Sequence, residues 1–134
     1  MRAWMMLAAP IALAACAGAY EPRPLTDKQT SELDKALAGK VPGEKVACIS
    51  RAPATNLQVI SNNVVLYRVN RKLVYKNDLI GGCSGLTAGD TLILRSFGSQ
   101  MCRGDFATTA NLMTGMQTGA CALGDFVPYR TPKK

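Results

Sequence analysis

Histidine is missing from this 134-residue chain. Its absence removes the commonest general base, the commonest charge switch near neutral pH and the commonest metal ligand together. No two cysteines have the C-x₂₋₄-C spacing of a zinc site. There is no G-x-S-x-G, no S-x-x-K and no glycine-rich phosphate loop, so the common marks of a serine nucleophile or a nucleotide site are absent too. Charge is sparse at 19% of residues, and acidic charge is the scarcer kind, with 9 Asp and Glu against 16 Lys and Arg. The resulting formal charge of +7 favours loose attraction to anionic surfaces. No residue pattern points to a cofactor or a bound metal.

The N-terminus supplies the clearest pattern. Met1-Arg2 is a short basic start, residues 3–15 carry no charge, and Leu13-Ala14-Ala15-Cys16 closes the run. A basic start, an apolar run and small residues before the cut make a secretory signal. The closing tetrapeptide resembles the lipobox of bacterial lipoproteins, whose cysteine thiol accepts a diacylglyceryl group. Residues 1–15 are therefore expected to be a lipoprotein signal peptide and Cys16 the lipid attachment site, joining the protein to a membrane. Two or three acyl chains hold a protein stably where one is marginal. Ala17, not Asp, follows Cys16; by resemblance to Gram-negative lipoproteins this implies the periplasm, anchored to the outer membrane. Two alternatives stand beside this reading. Ordinary signal peptidase could cut after Ala17 or Ala19, leaving a soluble periplasmic or secreted protein. The uncharged run from Ala3 to Tyr20 could also span a membrane, although Pro10 and the lack of a basic cluster beyond it argue against that.

Five cysteines are present: Cys16, Cys48, Cys83, Cys102 and Cys121. An odd count in an exported chain calls for an explanation. Lipidation or removal of Cys16 supplies one, leaving Cys48, Cys83, Cys102 and Cys121 for two disulfides in an oxidising compartment. Sequence does not choose among the three connectivities. The nested arrangement, Cys48–Cys121 with Cys83–Cys102, is preferred because it would tie the domain's ends together.

Residues 16–25 read as a tether, since Gly18, Pro22 and Pro24 interrupt any helix. A single domain then fills residues 26–134. Thr26 opens a helix, Gln29 completes a capping box and Asp27 complements the helix dipole. Leu33, Ala36 and Leu37 form its apolar stripe and Gly39 its stop. Beyond Pro42-Gly43 the pattern changes to short strands, expected at 46–50, 57–61, 64–70, 73–76, 91–97, 101–107 and 126–130. Turns at Asn62-Asn63 and Asn70-Arg71-Lys72 make 57–76 a three-stranded meander. Gly98-Ser99-Gln100 is expected to close another hairpin, residues 77–90 to form a long loop, and Pro128 to put the last strand at an edge or a bulge. The fold class is mainly β: six or seven strands in a small antiparallel barrel or sandwich, with one N-terminal helix and disulfide staples.

The order of features from Cys48 onward carries a resemblance. Cys48-Ile49, Leu66-Tyr67-Arg68, the run from Tyr75 to Leu79, the run from Gly82 to Leu86, Cys102-Arg103-Gly104-Asp105 and the run from Cys121 to Tyr129 follow one another. Over residues 46–130 this resembles a family of small exported proteobacterial proteins with a four-cysteine framework. Ser84 stands where that pattern has proline. The resemblance implies the compartment and the disulfides; it implies no reaction.

Arg68, Arg71, Lys72 and Lys76 crowd together with no acidic residue between them, interleaved with Tyr67 and Tyr75. They are the candidate contacts for a polyanion, or else the solvated face of a two-sided hairpin. Asp78, Asp90, Asp105 and Asp125 each stand beside Gly or Asn, where local backbone hydrogen bonding accounts for them. A converging pair of them could act as general acid and base. Arg103-Gly104-Asp105 matches the integrin tripeptide, but Gly-Asp equally fits a turn. The expected function is a non-catalytic binding or structural module of the envelope, with an envelope polyanion or envelope protein as partner and no nucleic acid. The alternative is a small periplasmic hydrolase using an Asp pair.

Overall fold

The computed structural model describes residues 21–52 and 56–134. The signal region and Cys16 lie outside the described residues. The helix, α1, spans Asp27–Ala36 and begins where the capping chemistry puts it. Gln29 N–H donates to Thr26 Oγ1 at 3.3 Å and Thr26 N–H to Gln29 Oε1 at 3.0 Å, satisfying donors that a helix start leaves free. Gly39 takes φ +71°, a left-handed conformation open to a residue without Cβ.

Among the described residues the strands are β1 (Val41–Pro42), β2 (Cys48–Ser50), β3 (Asn56–Val59), β4 (Val64–Asn70), β5 (Leu73–Asp78), β6 (Thr91–Arg95), β7 (Gln100–Cys102), β8 (Phe106–Asn111), β9 (Met116–Ala122) and β10 (Phe126–Arg130). They form three sheets, in the orders β1-β10-β5-β4-β3, β2-β7 and β6-β8-β9. Every pairing is antiparallel. The sheets stack in a sandwich-like way and do not close into a barrel. The mainly β class with one helix is thus the class adopted, and β3, β4 and β5 are the expected meander.

Strand β4 organises the interior because both its faces are covered. Its alternation sends Val65 and Tyr67 one way, into a cluster with Met101, Ala107, Leu123 and Phe126. Val64 and Leu66 go the other way, where with Ile60 and Val74 they meet Leu33, Ala36 and Leu37. The layers are therefore the helix, the five-stranded sheet and the two smaller sheets. The β4–β5 hairpin is not the two-sided, half-solvated element that its charges suggest.

Several expectations need correction. Residues 101–107 are two strands, not one. The Asp105 carboxylate accepts from Cys102 N–H at 2.8 Å, and this turn at Arg103-Gly104-Asp105 sends the chain from β7 to β8. Strand β7 pairs with β2 and β6 with β8, so Gly98-Ser99-Gln100 joins no hairpin partners. Strand β9, with its Gln, Gly and Ala content, has no alternating pattern to announce it; it forms because β8 offers a ladder. Residues 77–90 hold the end of β5 and a 3₁₀ turn, Leu86–Ala88, rather than loop alone. Pro128 lies in a strand flanked on both sides. Its carbonyl accepts from Gly43 N–H at 2.7 Å, so its missing N–H faces the short strand β1, and the ladder to β5 loses nothing.

The disulfides are Cys48–Cys102 and Cys83–Cys121, so the nested arrangement is not adopted. Register decides the first, for Cys48 and Cys102 lie directly opposite in the β2–β7 pair. The second follows from the bridge between Ile80 and Ala122, which lays the segment after β5 along β9 and brings the Cys83 and Cys121 Cα atoms to 5.1 Å, within bridging range.

Candidate functional site

The β4–β5 turn is shaped by one side chain. Asn70 Oδ1 accepts from Lys72 N–H at 2.8 Å and from Leu73 N–H at 3.0 Å, holding a tight Asx turn with Arg71 and Lys72 exposed. Strand β10 brings the chain's last residues to the same place. Arg130 pairs with Leu73, and Thr131 N–H donates to the Lys72 carbonyl at 3.0 Å. The turn and residues 130–134 together line a groove of 690 Å³.

Lys72, Arg130, Lys133 and Lys134 line this groove, Leu73 and Pro132 give it an apolar strip, and no Asp or Glu side chain lines it. Arg71 adds a fifth cation in the turn. None of the five has an ion-pair partner among the described residues. Uncompensated like charges around a concave surface concentrate positive potential, and the long stems can move their charged heads to suit a ligand. The arrangement can hold an extended anion or several anionic groups in a row.

The residues expected to make a basic hairpin are thus divided. Lys72 lines the groove, and Arg71 is exposed beside it in the turn. Arg68 is exposed on β4, two residues before the turn, on the helix side of the sheet, where it pairs with Asn56 and Val74. Lys76 is taken by Asp78, its Nζ lying 2.7 and 2.8 Å from the two carboxylate oxygens. The aromatic residues are not available for stacking at the surface. Tyr67 is buried and its ring centroid lies 5.9 Å from that of Phe126, while Tyr75 meets Phe126 edge-on at 6.3 Å. Burial pushes the Tyr67 hydroxyl up to about 12, and its oxygen has no hydrogen-bond partner among the described residues. Arg130, Lys133 and Lys134 went unmarked in the sequence reading. The dense C-terminal run Arg130-Thr131-Pro132-Lys133-Lys134 was the signal available for them.

The four turn aspartates have different partners, and of the four it is Asp105 that makes the expected bond to nearby backbone. Asp78 holds Lys76, Asp90 accepts from Thr118 Oγ1 at 2.7 Å, and Asp105 caps its own turn. Asp125 lies 3.2 Å from Arg103 Nη1 and 3.6 Å from Lys45 Nζ. The Arg103-Gly104-Asp105 tripeptide is thereby spent on a turn and an ion pair. Among the described residues no three His, Cys, Asp or Glu side chains gather as a metal site, and no helix is long and apolar enough to cross a membrane. No family model, curated protein or solved structure matches this chain.

Proposed function

We propose that this protein is an exported module of the four-cysteine family, held by lipid on Cys16 at the periplasmic face of the outer membrane, and that it binds an anionic envelope polymer through the groove beside the β4–β5 turn. The observation that carries the reading is the gathering of Lys72, Arg130, Lys133 and Lys134 on one groove that no Asp or Glu side chain lines, with Arg71 exposed in the turn beside it. Binding of this kind is Coulombic and requires no reaction.

The position of the groove favours a polymer over the headgroups of the anchoring bilayer. Glu21 and Arg23 share a pocket with Asn62 and Asn63, at the start of β4. The groove lies at the other end of that strand, beside Asn70, about 20 Å away at the usual rise per residue. Cys16 precedes Glu21 by few residues, a reach of about 17 Å when fully extended. Lipid on Cys16 would hold the start-of-β4 end near the bilayer and leave the groove facing the periplasm.

The anchor is tested by growing expressing cells with a labelled fatty acid. Wild type takes up label and Cys16→Ala does not; an unlabelled wild type would overturn the anchor. The groove is tested by cosedimentation with purified peptidoglycan over a salt series. Wild-type binding falls steeply with salt, since the screening length is only about 8 Å at physiological ionic strength. The Arg71→Glu, Lys72→Glu and Lys133→Glu, Lys134→Glu double variants each weaken binding about tenfold at low salt without lowering thermal stability. Identical sedimentation of all three proteins at every salt concentration would sink the groove reading.

A further inference from the structure

A second surface lies on the β8–β9 hairpin. Residues 106–124 contain no Asp, Glu, Lys or Arg. The tip of this hairpin is well built. Asn111 Oδ1 accepts from Met113 N–H at 2.9 Å and from Thr114 N–H at 3.1 Å, and Gly115 N–H donates to the Asn111 carbonyl at 2.8 Å. On this ordered tip Leu112, Met113 and Met116 are 73%, 94% and 66% exposed. Single exposed apolar residues need no explanation. Three on one protruding tip, with no charge along either strand, do.

The tip also lies on the part of the molecule where the described chain begins. Glu21 shares a pocket with Gly82 and Ser84. The Ser84 carbonyl accepts from Thr109 Oγ1 at 2.5 Å, and Thr109 stands two residues before Asn111. A lipid on Cys16, within about 17 Å of Glu21, and the hairpin tip can therefore reach one bilayer.

We propose that Leu112, Met113 and Met116 insert into the membrane that holds the Cys16 lipid, as a shallow second attachment that fixes the domain's orientation. The inference rests on the lipid-anchor reading above. The chemistry favours a fluid apolar phase as occupant. No ionisable group on the hairpin must be desolvated, which is the main cost of entering a bilayer. Unbranched Met side chains adapt to surroundings without fixed shape. A convex tip of three side chains is far smaller than the roughly 800 Å² per partner of a stable protein interface.

Hydroxyl-radical footprinting tests this on the acylated full chain in neutral phosphatidylcholine vesicles, where the basic groove has no anionic surface to bind. Phe97, 99% exposed on the loop after β6, serves as the accessible reference and buried Met101 as the protected one. Labelling at Leu112 and Met113 is expected to fall to the level of Met101 while Phe97 stays labelled, and the Cys16→Ala chain in buffer is expected to label at all three exposed positions. Acylated protein whose Leu112 and Met113 label as strongly as Phe97 in vesicles would overturn the hairpin proposal and leave the anchor standing. A wild type without fatty-acid label would overturn both, and does so before any vesicle is added. Protection of Met113 in the Cys16→Ala chain in buffer, growing with protein concentration, would mean that a second copy covers the tip, and would overturn the proposal as well.

Discussion

Replacing Cys83 and Cys121 together by alanine lowers the stability of the domain by about 4 kcal/mol. The bridge closes a ring across 38 residues of sequence, and opening it releases the unfolded chain from that constraint. The Cys48–Cys102 ring is longer, at 54 residues, yet by chain entropy alone it would be worth only about 0.3 kcal/mol more. Burial reverses that order. Cys83 is fully buried and Cys121 nearly so, both within the main apolar cluster, while Cys48 and Cys102 are half-buried. The segment around Cys83 is rich in glycine and, besides the disulfide, is held mainly by hydrogen bonds, among them Cys83 N–H to the Asn62 carbonyl at 2.7 Å, the Ile80–Ala122 bridge and the Thr109–Ser84 bond, with Leu79 and Leu86 buried. The double variant should therefore lose more than its Cys48→Ala, Cys102→Ala counterpart, and should melt about 15 °C or more below wild type. Urea denaturation of the oxidised wild type and both variants checks this. A Cys83→Ala, Cys121→Ala protein within about 1 kcal/mol of wild type would show that packing alone holds the segment.

Asn77→Ala is expected to cost about 3 kcal/mol. Asn77 is fully buried, and its side chain replaces a backbone partner for residue 124. Its Nδ2 donates to the Gly124 carbonyl at 2.8 Å, and its Oδ1 accepts from Gly124 N–H at 2.9 Å. Alanine would strand that N–H and that carbonyl away from water, at about 1–3 kcal/mol for each unsatisfied group, and would leave a small void. The backbone cannot easily shift to compensate, because even a Cβ on Gly124 would overlap the Asp78 carbonyl oxygen. The exposed Asn56→Ala change is the control and should stay within about 0.5 kcal/mol. Equal denaturation midpoints for the two alanine variants would mean that the Asn77 bracket is dispensable. If the prediction holds, Asn77 is what fastens the connection between β9 and β10 onto the five-stranded sheet.

Features written in short stretches of chain were legible in the sequence. The Thr26–Gln29 box starts α1, Asn70 makes its turn, and the β-rich runs between the turns become the strands of the meander. Each is a matter of torsion angles or of nearby donors and acceptors. The Asn111 turn uses the same chemistry as the Asn70 turn, yet β9 went unseen because its side chains carry no alternation. The count of cysteines predicted two bridges but not their pairing. That pairing depends on the β2–β7 register and on how the segment after β5 lies along β9.

The candidate site divides in the same way. Arg71 and Lys72 stand out as a local cluster of charge. Lys76 looks equivalent to them in sequence, but strand geometry carries it along β5 to Asp78. Arg130, Lys133 and Lys134 join the groove only because β10 pairs with β5 and sets Arg130 opposite Leu73. The sequence by itself determined the mainly β class, the helix, the meander, the number of bridges and the excess of positive charge. The tertiary structure alone decided which cysteines meet and which cations share a surface, because both depend on contacts between residues far apart in the chain, whose registers no local preference can set.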